Sequence, residues 1–562
     1  MLRQQRNNKM SFPTIKKNQT VKEFLFDDLL YPDQVTFVKK MMPASIGQCI
    51  DPTGMGKSMI ANSVCALIAS ESTDPCVFTF SSPTKVLGSQ LLIETMIVMA
   101  VCGIKKVSYL VVNSDIVPVV NRKTRRFLEK TLGMEIVVER NTTSHILIND
   151  AINRNKSAGY HTVISATYHS TERVLEACHI GGHKIDCHIN DEPQKLVTDQ
   201  FKQLAEELKD GHETDEVDMA KFSANIKRYA DRVYSVTATP KHTFAKDGIG
   251  MQNTERFGPV LHEMSEKECY TLGRKVPPRI ARMCGLNFQI TSAQSMGVFV
   301  RKTYEQFAKK WKRAKILFDT KGTAQIKWFM ESGEKDKMIE NGVNVAHCDS
   351  VNGYWINNNT YNDASAWKAA LNDLDEEMPL ICLHVEMLVE GLDVPGFNSL
   401  MMMKTRTQSA LKQLIGRIQR LVGVDRDIVG YGKNYSPMDL MDKTVAQNFE
   451  KAFALVAFNE YDKDIGAYLK TIVNLMRKEY GFTAEELAEF SDKEGAGDDS
   501  GGNRDGIEGK EERNRKYKET VDYENFTADL DIIDDLYKAG KLSKIEYLKQ
   551  RAKAALNLTN AA

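Results

Sequence analysis

One short segment limits the choice of fold more than any other. An apolar run at residues 45–50 leads into Asp51-Pro52-Thr53-Gly54-Met55-Gly56-Lys57-Ser58, and a helical pattern follows from Met59 to Ala69. Strand, glycine-rich loop and helix in that order form the context of a phosphate cradle. Gly54 and Gly56 let backbone N–H groups approach phosphate oxygens, and the helix N-terminus favours the anion. In this pattern Lys57 reaches the β- and γ-phosphates, the Ser58 hydroxyl holds magnesium, and Thr53 belongs to the same loop. One residue departs from the pattern, since Asp51 stands where GxxxxGK[S/T] has its first glycine.

A cradle of this kind needs a second metal ligand from the end of another strand. Asp191-Glu192-Pro193-Gln194 follows an alternating apolar run and supplies adjacent carboxylates. Asp191 is suited to the metal, through water, and Glu192 to orienting and deprotonating the attacking water. Around these segments, apolar runs at 76–80, 107–112, 162–165 and 233–236 alternate with helical patterns, which predicts a mostly parallel sheet covered by helices. A second alternation starts near Gly297, with strands expected at 316–318, 343–347, 380–384 and 399–403.

The expected organisation is a flexible basic arm (1–23), a first α/β domain (24–245), a connector (246–296), a second α/β domain (297–440), a helical extension (441–490), a flexible charged linker (491–520) and a small helical hairpin (521–562). The extension is read from an apolar face of Phe449, Phe453, Val456, Tyr468, Ile472, Leu475 and Met476. The linker has almost nothing to bury. In the hairpin, Ile532, Ile533, Leu536 and Tyr537 form one face, Gly540 is a stop, and Ser543 with Glu546 reads as a capping box. Too small to bury much alone, it is expected to meet a protein partner or a second copy.

Five segments in order resemble motifs I, II, III, V and VI of superfamily-two helicases. They are Pro52 to Ser58, Asp191 to Gln194, Thr237-Ala238-Thr239-Pro240, Glu390-Gly391-Leu392-Asp393-Val394-Pro395 and Gln413-Leu414-Ile415-Gly416-Arg417-Ile418-Gln419-Arg420. The resemblance runs from about Phe24 to Leu440 and is nearest to phage branch-migration helicases and the motor subunits of type III restriction enzymes. It implies two RecA-like lobes with ATP and Mg²⁺ between them. It further implies adenine reading by Gln34 and ribose- and magnesium-side contacts from Gly391 and Asp393. Arg417 and Arg420 would act on the γ-phosphate, and Gln194, Thr237, Thr239 and Gln413 would couple the motifs. Pro83, Thr84, Lys85 and Gln90 resemble motif Ia, and Thr167 with Tyr168 resembles motif Ib, both of which touch the nucleic-acid backbone. Helical spacing places Gln413, Arg417 and Arg420 on one face. The function implied is an ATP-dependent helicase or translocase, on DNA in preference to RNA. An RNA helicase and a helicase-like scaffold without turnover remain as alternatives.

Composition adds limits. Seventy-five basic residues balance seventy-five acidic ones, so nucleic acid must be bound by a local groove and not by a global field. The longest apolar stretch, 87–104, is interrupted by Gln90 and Glu94, which favours a buried helix over a membrane span. With no apolar run behind the basic N-terminus, the expected location is cytoplasmic, or the host cytoplasm for a phage-encoded chain. The ten cysteines include no CxxC pair. Cys178, His179, His183, Cys187 and His188 cluster at a spacing that fits no familiar zinc site, so no metal ligand is assigned among them.

Overall fold

A computed structural model describes residues 13–113, 125–131, 133, 141–197, 226–242, 250–272, 274–276, 278–282, 289–311, 313–375, 378–385, 396–420, 454–458 and 475. Two α/β lobes follow one another, each built on its own sheet.

The first lobe contains β1 (Ile46–Ile50), β2 (Val77–Ser82), β3 (Val107–Val112), β4 (His161–Thr167), β5 (Cys187–Asp191), β6 (Val233–Thr237) and β7 (Val260–Glu263). Their order is β3-β4-β2-β5-β6-β1-β7, and all neighbours are parallel. Strands β2, β3, β5 and β6 are buried at every residue, as a parallel sheet covered on both faces requires. Successive side chains divide between the two faces. Phe78 packs with Phe37, Val64 and Leu92 from α1 (Pro32–Met41), α2 (Lys57–Glu71) and α3 (Lys85–Val101). Val77 packs on the other side with Ile148 and Leu175 from α4 (His145–Ser157) and α5 (Tyr168–Gly181). The expected buried helix at 87–104 is α3. Because β5, β6 and β1 are neighbours, the acid pair, the Thr237–Thr239 segment and the glycine-rich loop all leave the sheet at adjacent carboxyl ends.

The second lobe contains β8 (Pro278–Arg282), β9 (Lys315–Asp319), β10 (Asn344–Asp349), β11 (Gly353–Ile356), β12 (Asn359–Tyr361), β13 (Leu380–His384), β14 (Ser399–Met402) and β15 (Ala454–Phe458). The order is β12-β11-β10-β13-β9-β14-β15-β8, with β10, β11 and β12 forming an antiparallel edge on an otherwise parallel sheet. Between β7 and β8 lies α6 (Glu266–Thr271), followed by α7 (Ala293–Lys310), α8 (Thr323–Glu331), α9 (Glu334–Glu340), α10 (Ala364–Asp373) and α11 (Gln408–Ile418).

Three expectations are corrected. The stretch read as a connector supplies an edge strand to each sheet, β7 beside β1 and β8 beside β15. Val456, read as part of a helical face, is buried in β15. Ala-Leu-Val-Ala-Phe is a continuous apolar run, and periodicity does not separate a buried strand from a helix in so short a run. The described part of the arm, from Pro13, is tied to the first lobe and not flexible, since the Ile15 N–H donates to the Val101 carbonyl (3.0 Å) and Thr20 with Glu23 forms a capping box. The linker, the terminal hairpin and most of the expected helical extension lie outside the described residues. Among the described residues no helix is long and apolar enough to cross a membrane.

Candidate nucleotide site and nucleic-acid interface

Gly54 and Gly56 both have left-handed backbones, φ 90° and 84°. Glycine is favoured at position 56 by this conformation, and a Cβ there, 2.5 Å from Gln34 Nε2, would also displace the Gln34 amide. Gln34 Nε2 donates to the Met55 carbonyl (2.9 Å), and its Oε1 accepts from the Tyr31 N–H (3.1 Å). Both ends of the amide expected to read adenine are thus engaged within the chain, bracing the loop from α1. Lys57 Nζ donates to the carbonyls of Asp51 (2.9 Å) and Pro52 (3.4 Å), folding the ammonium into the loop. Burial lowers its pKa, while the charges of Glu192, Asp51 and Asp191 oppose that shift. Ser58, in the first turn of α2, is partly exposed. The carboxyl of Asp51 is buried, with Oδ1 3.5 Å from His262 Nε2 on β7. Burial pushes its pKa up to about 7 against the pull of Lys57.

Asp191 ends β5. Burial, reinforced by the charge of Glu192, holds its carboxyl well above the usual range, and Lys57 works the other way. Glu192 adopts a left-handed backbone (φ 55°), an unfavourable conformation for a side-chain-bearing residue and one that tends to persist at functional sites. Its Oε2 accepts from Gln194 Nε2 and lies 3.2 Å from Thr237 Oγ1. Thr237 Oγ1 donates to Gln194 Oε1 (2.7 Å) and accepts from the Thr239 N–H (3.0 Å). The side chains of Glu192, Gln194 and Thr237 therefore share one hydrogen-bonded network, which the Thr239 backbone N–H joins.

The second lobe reaches this site through α11, whose Leu411, Leu414, Ile415 and Ile418 are buried. On the same helix Gln413 and Arg417 are almost fully covered. A Cβ on Gly416 would sit 2.7 Å from Thr53 Cβ, and one on Gly54 would sit 3.3 Å from Arg420 Cγ. The arginine helix thus lies directly against the glycine-rich loop. Beyond it, Arg420 bridges Lys275 in antiparallel fashion, and the Val276 N–H donates to the Gln419 carbonyl (3.0 Å). Lys275 Nζ is buried on Glu266 (2.9 and 3.1 Å), and Arg274 grips Asp33 at the start of α1 (2.7 and 2.9 Å). Sequence reasoning missed these connector residues, since isolated charged positions carry no pattern. Gly391 and Asp393 lie outside the described residues.

Pro83, Thr84, Lys85, Thr167 and Ser170 line one pocket of about 410 Å³ together with Thr143 and His169, which no motif had indicated. Thr84 caps α3 and Thr167 caps α5, so two helix N-termini open beside the pocket, a setting that suits an anion. Two other expected contacts are placed elsewhere. Tyr168 is buried, its hydroxyl donating to the Asp191 carbonyl (2.6 Å), because the first helical residue after β4 turns into the core. Gln90, two turns along α3, bonds Glu94 and Lys368 instead of lining the pocket. In the Cys/His cluster, His183 pairs with Asn149, and His188 lies between Thr79 and Asn190. Cys178 and Cys187 are buried.

No protein-family model matches the chain, and no curated protein matches it. Solved structures similar to it include the ATP-dependent Type ISP restriction-modification enzyme LlaBIII bound to DNA, at 15% identity and TM-score 0.49 over 76% of this chain. Another is a nuclease-deletion mutant of the Type ISP enzyme LlaGI with a DNA substrate mimic, at 14% and 0.41 over 94% of this chain. A third is the DEAD-box helicase Mss116 bound to single-stranded RNA and UDP-BeF, at 13% and 0.49 over 98% of this chain and 93% of that one. The chain spans 27% and 37% of the lengths of the two restriction-modification enzymes. Identity and TM-score are low throughout, and the chemistry rests on this chain's own residues.

Proposed function

We propose that the chain is a nucleic-acid-stimulated ATPase of the superfamily-two helicase kind, a helicase or translocase acting on DNA. The observation that carries this reading is the contact of α11 with the glycine-rich loop, Gly416 on Thr53 and Arg420 beside Gly54. Lys57, Asp191 and Glu192 from one lobe and the arginines of the other converge on one place, as phosphoryl transfer by charge stabilisation requires. The donor set fits a magnesium nucleotide. Left-handed glycines expose N–H groups at a helix start, Ser58 and Asp191 are oxygen ligands of the type magnesium prefers, and Lys57 is poised inside the loop. Ser58 and Asp191 would hold magnesium, which would neutralise phosphate charge. Glu192, held by Gln194 and Thr237, takes the proton of the attacking water.

Thr84, Lys85, Thr167 and Ser170 would meet the backbone of the strand on which the lobes advance. DNA is preferred on the resemblance to branch-migration and type III restriction motors. A scaffold without turnover is the second reading, and the intact network at Glu192 disfavours it. ATP hydrolysis measured with single-stranded DNA, branched DNA and single-stranded RNA tests the assignment. Stimulation strongest with DNA and abolished by Lys57→Ala is expected. Hydrolysis undiminished in Lys57→Ala would remove the site assignment, and stimulation by RNA alone would move the substrate to RNA.

A further inference from the structure

Where the lobes meet, a lysine covered by none of the motifs crosses from one to the other. It is Lys368 on α10, a helix capped by Asp363 and pinned to β11 through Trp367, whose indole N–H donates to the Trp355 carbonyl (3.1 Å). Lys368 Nζ donates to Gln90 Oε1 (2.5 Å), and Gln90 Nε2 donates to Glu94 Oε1 (2.7 Å). Both acceptors are on α3, the helix whose first turn, Thr84 and Lys85, borders the anion pocket. Burial brings the Lys368 pKa down to about 7; Glu94 favours the charged form, while Arg417 and Arg420 disfavour it. Lys368 thus ties α10 of the second lobe to α3 of the first.

We propose that Lys368 is a positioning residue that couples the anion pocket at the start of α3 to the arginine helix α11 of the second lobe. This rests on the functional reading above. Through that tie, a strand that settles α3 at its N-terminus favours the arrangement of α10 and α11 that hydrolyses ATP. The contact therefore acts on stimulation, not on nucleotide binding.

The test is steady-state ATP hydrolysis by the full chain with and without single-stranded DNA, and in parallel with single-stranded RNA, for the parent, Lys368→Met and Lys368→Arg. In Lys368→Met the stimulated kcat should fall about tenfold, within the range of known coupling energies. KM for ATP and the unstimulated rate should stay close to those of the parent. Lys368→Arg, which retains the cation, should recover most of the stimulation. Glu94→Gln weakens the same contact from the other lobe and should lose stimulation in the same direction, which keeps the proposal testable if Lys368→Met does not fold. Stimulated and unstimulated rates falling together, or stimulation intact in both Lys368→Met and Glu94→Gln, would overturn the coupling role. A parent stimulated by neither DNA nor RNA would overturn the motor reading itself, and the coupling with it.

Discussion

Arg420 and Lys57 approach the glycine-rich loop from different lobes, and their roles separate by what each touches. Lys57 bonds the loop's own carbonyls, while Arg420 packs its aliphatic stem beside Gly54 at the end of α11. An arginine brought in from the second lobe is suited to charge that develops as the phosphoryl group transfers. Arg420→Ala should therefore lower kcat by on the order of a thousandfold while ATP affinity falls far less. Nucleotide binding by fluorescence alongside turnover checks this. Equal losses in both would place Arg420 in ground-state binding. Gln194 shows how much of a residue's role its type discloses. An amide both donates and accepts, and here it spans Glu192 and Thr237. Tyr168 was not legible in the same way. Its position beside Thr167 suggested a surface, and only the turn from β4 into α5 sends its ring inward.

Among the elements, α11 has the most closely fixed position. Gly416 lies inside the helix, where alanine would raise helix propensity by about 1 kcal/mol. Its Cβ, however, would meet Thr53 Cβ at 2.7 Å. Gly416→Ala should leave thermal stability nearly unchanged yet cut turnover by roughly a hundredfold, the cost of shifting reacting groups by about 1 Å. Unaltered turnover would show that α11 is not held against the loop. The strands of both lobes were readable from apolar runs bounded by polar residues, since buried parallel strands have that composition. The edge strands β7 and β8 and the interior strand β15 were not. Val260 and Glu263 of β7 are exposed, so the segment lacks the apolar run that marks a buried strand. The pairing that makes β15 a strand involves β8 and β14, distant in sequence, and a local window does not see it.

Across the whole molecule, each sheet carries a buried neutral imidazole. His188 is bonded to Thr79 and Asn190, and His347 stacks on Trp355; burial lowers both pKa values to about 4. In the unfolded chain these groups take up a proton near pH 6.5, which the native state refuses until about pH 4. Stability should therefore fall as pH drops through that window, by on the order of 3 kcal/mol for each histidine. Asp51 and Asp191, whose raised pKa values favour the native state as pH falls, act in the opposite sense, so the test compares the change in denaturation midpoint between pH 7 and 4 for the parent and for His188→Gln; equal changes would contradict it. On the proposed function, both lobes close on one nucleotide and this closure governs the grip on nucleic acid. Glu192→Gln keeps the shape of the site and removes the base. The most direct test is the DNA affinity of Glu192→Gln with and without ATP and magnesium. ATP should change that affinity severalfold or more while hydrolysis nearly stops, and affinity that ignores ATP would show that nucleotide and nucleic acid do not share one lobe closure.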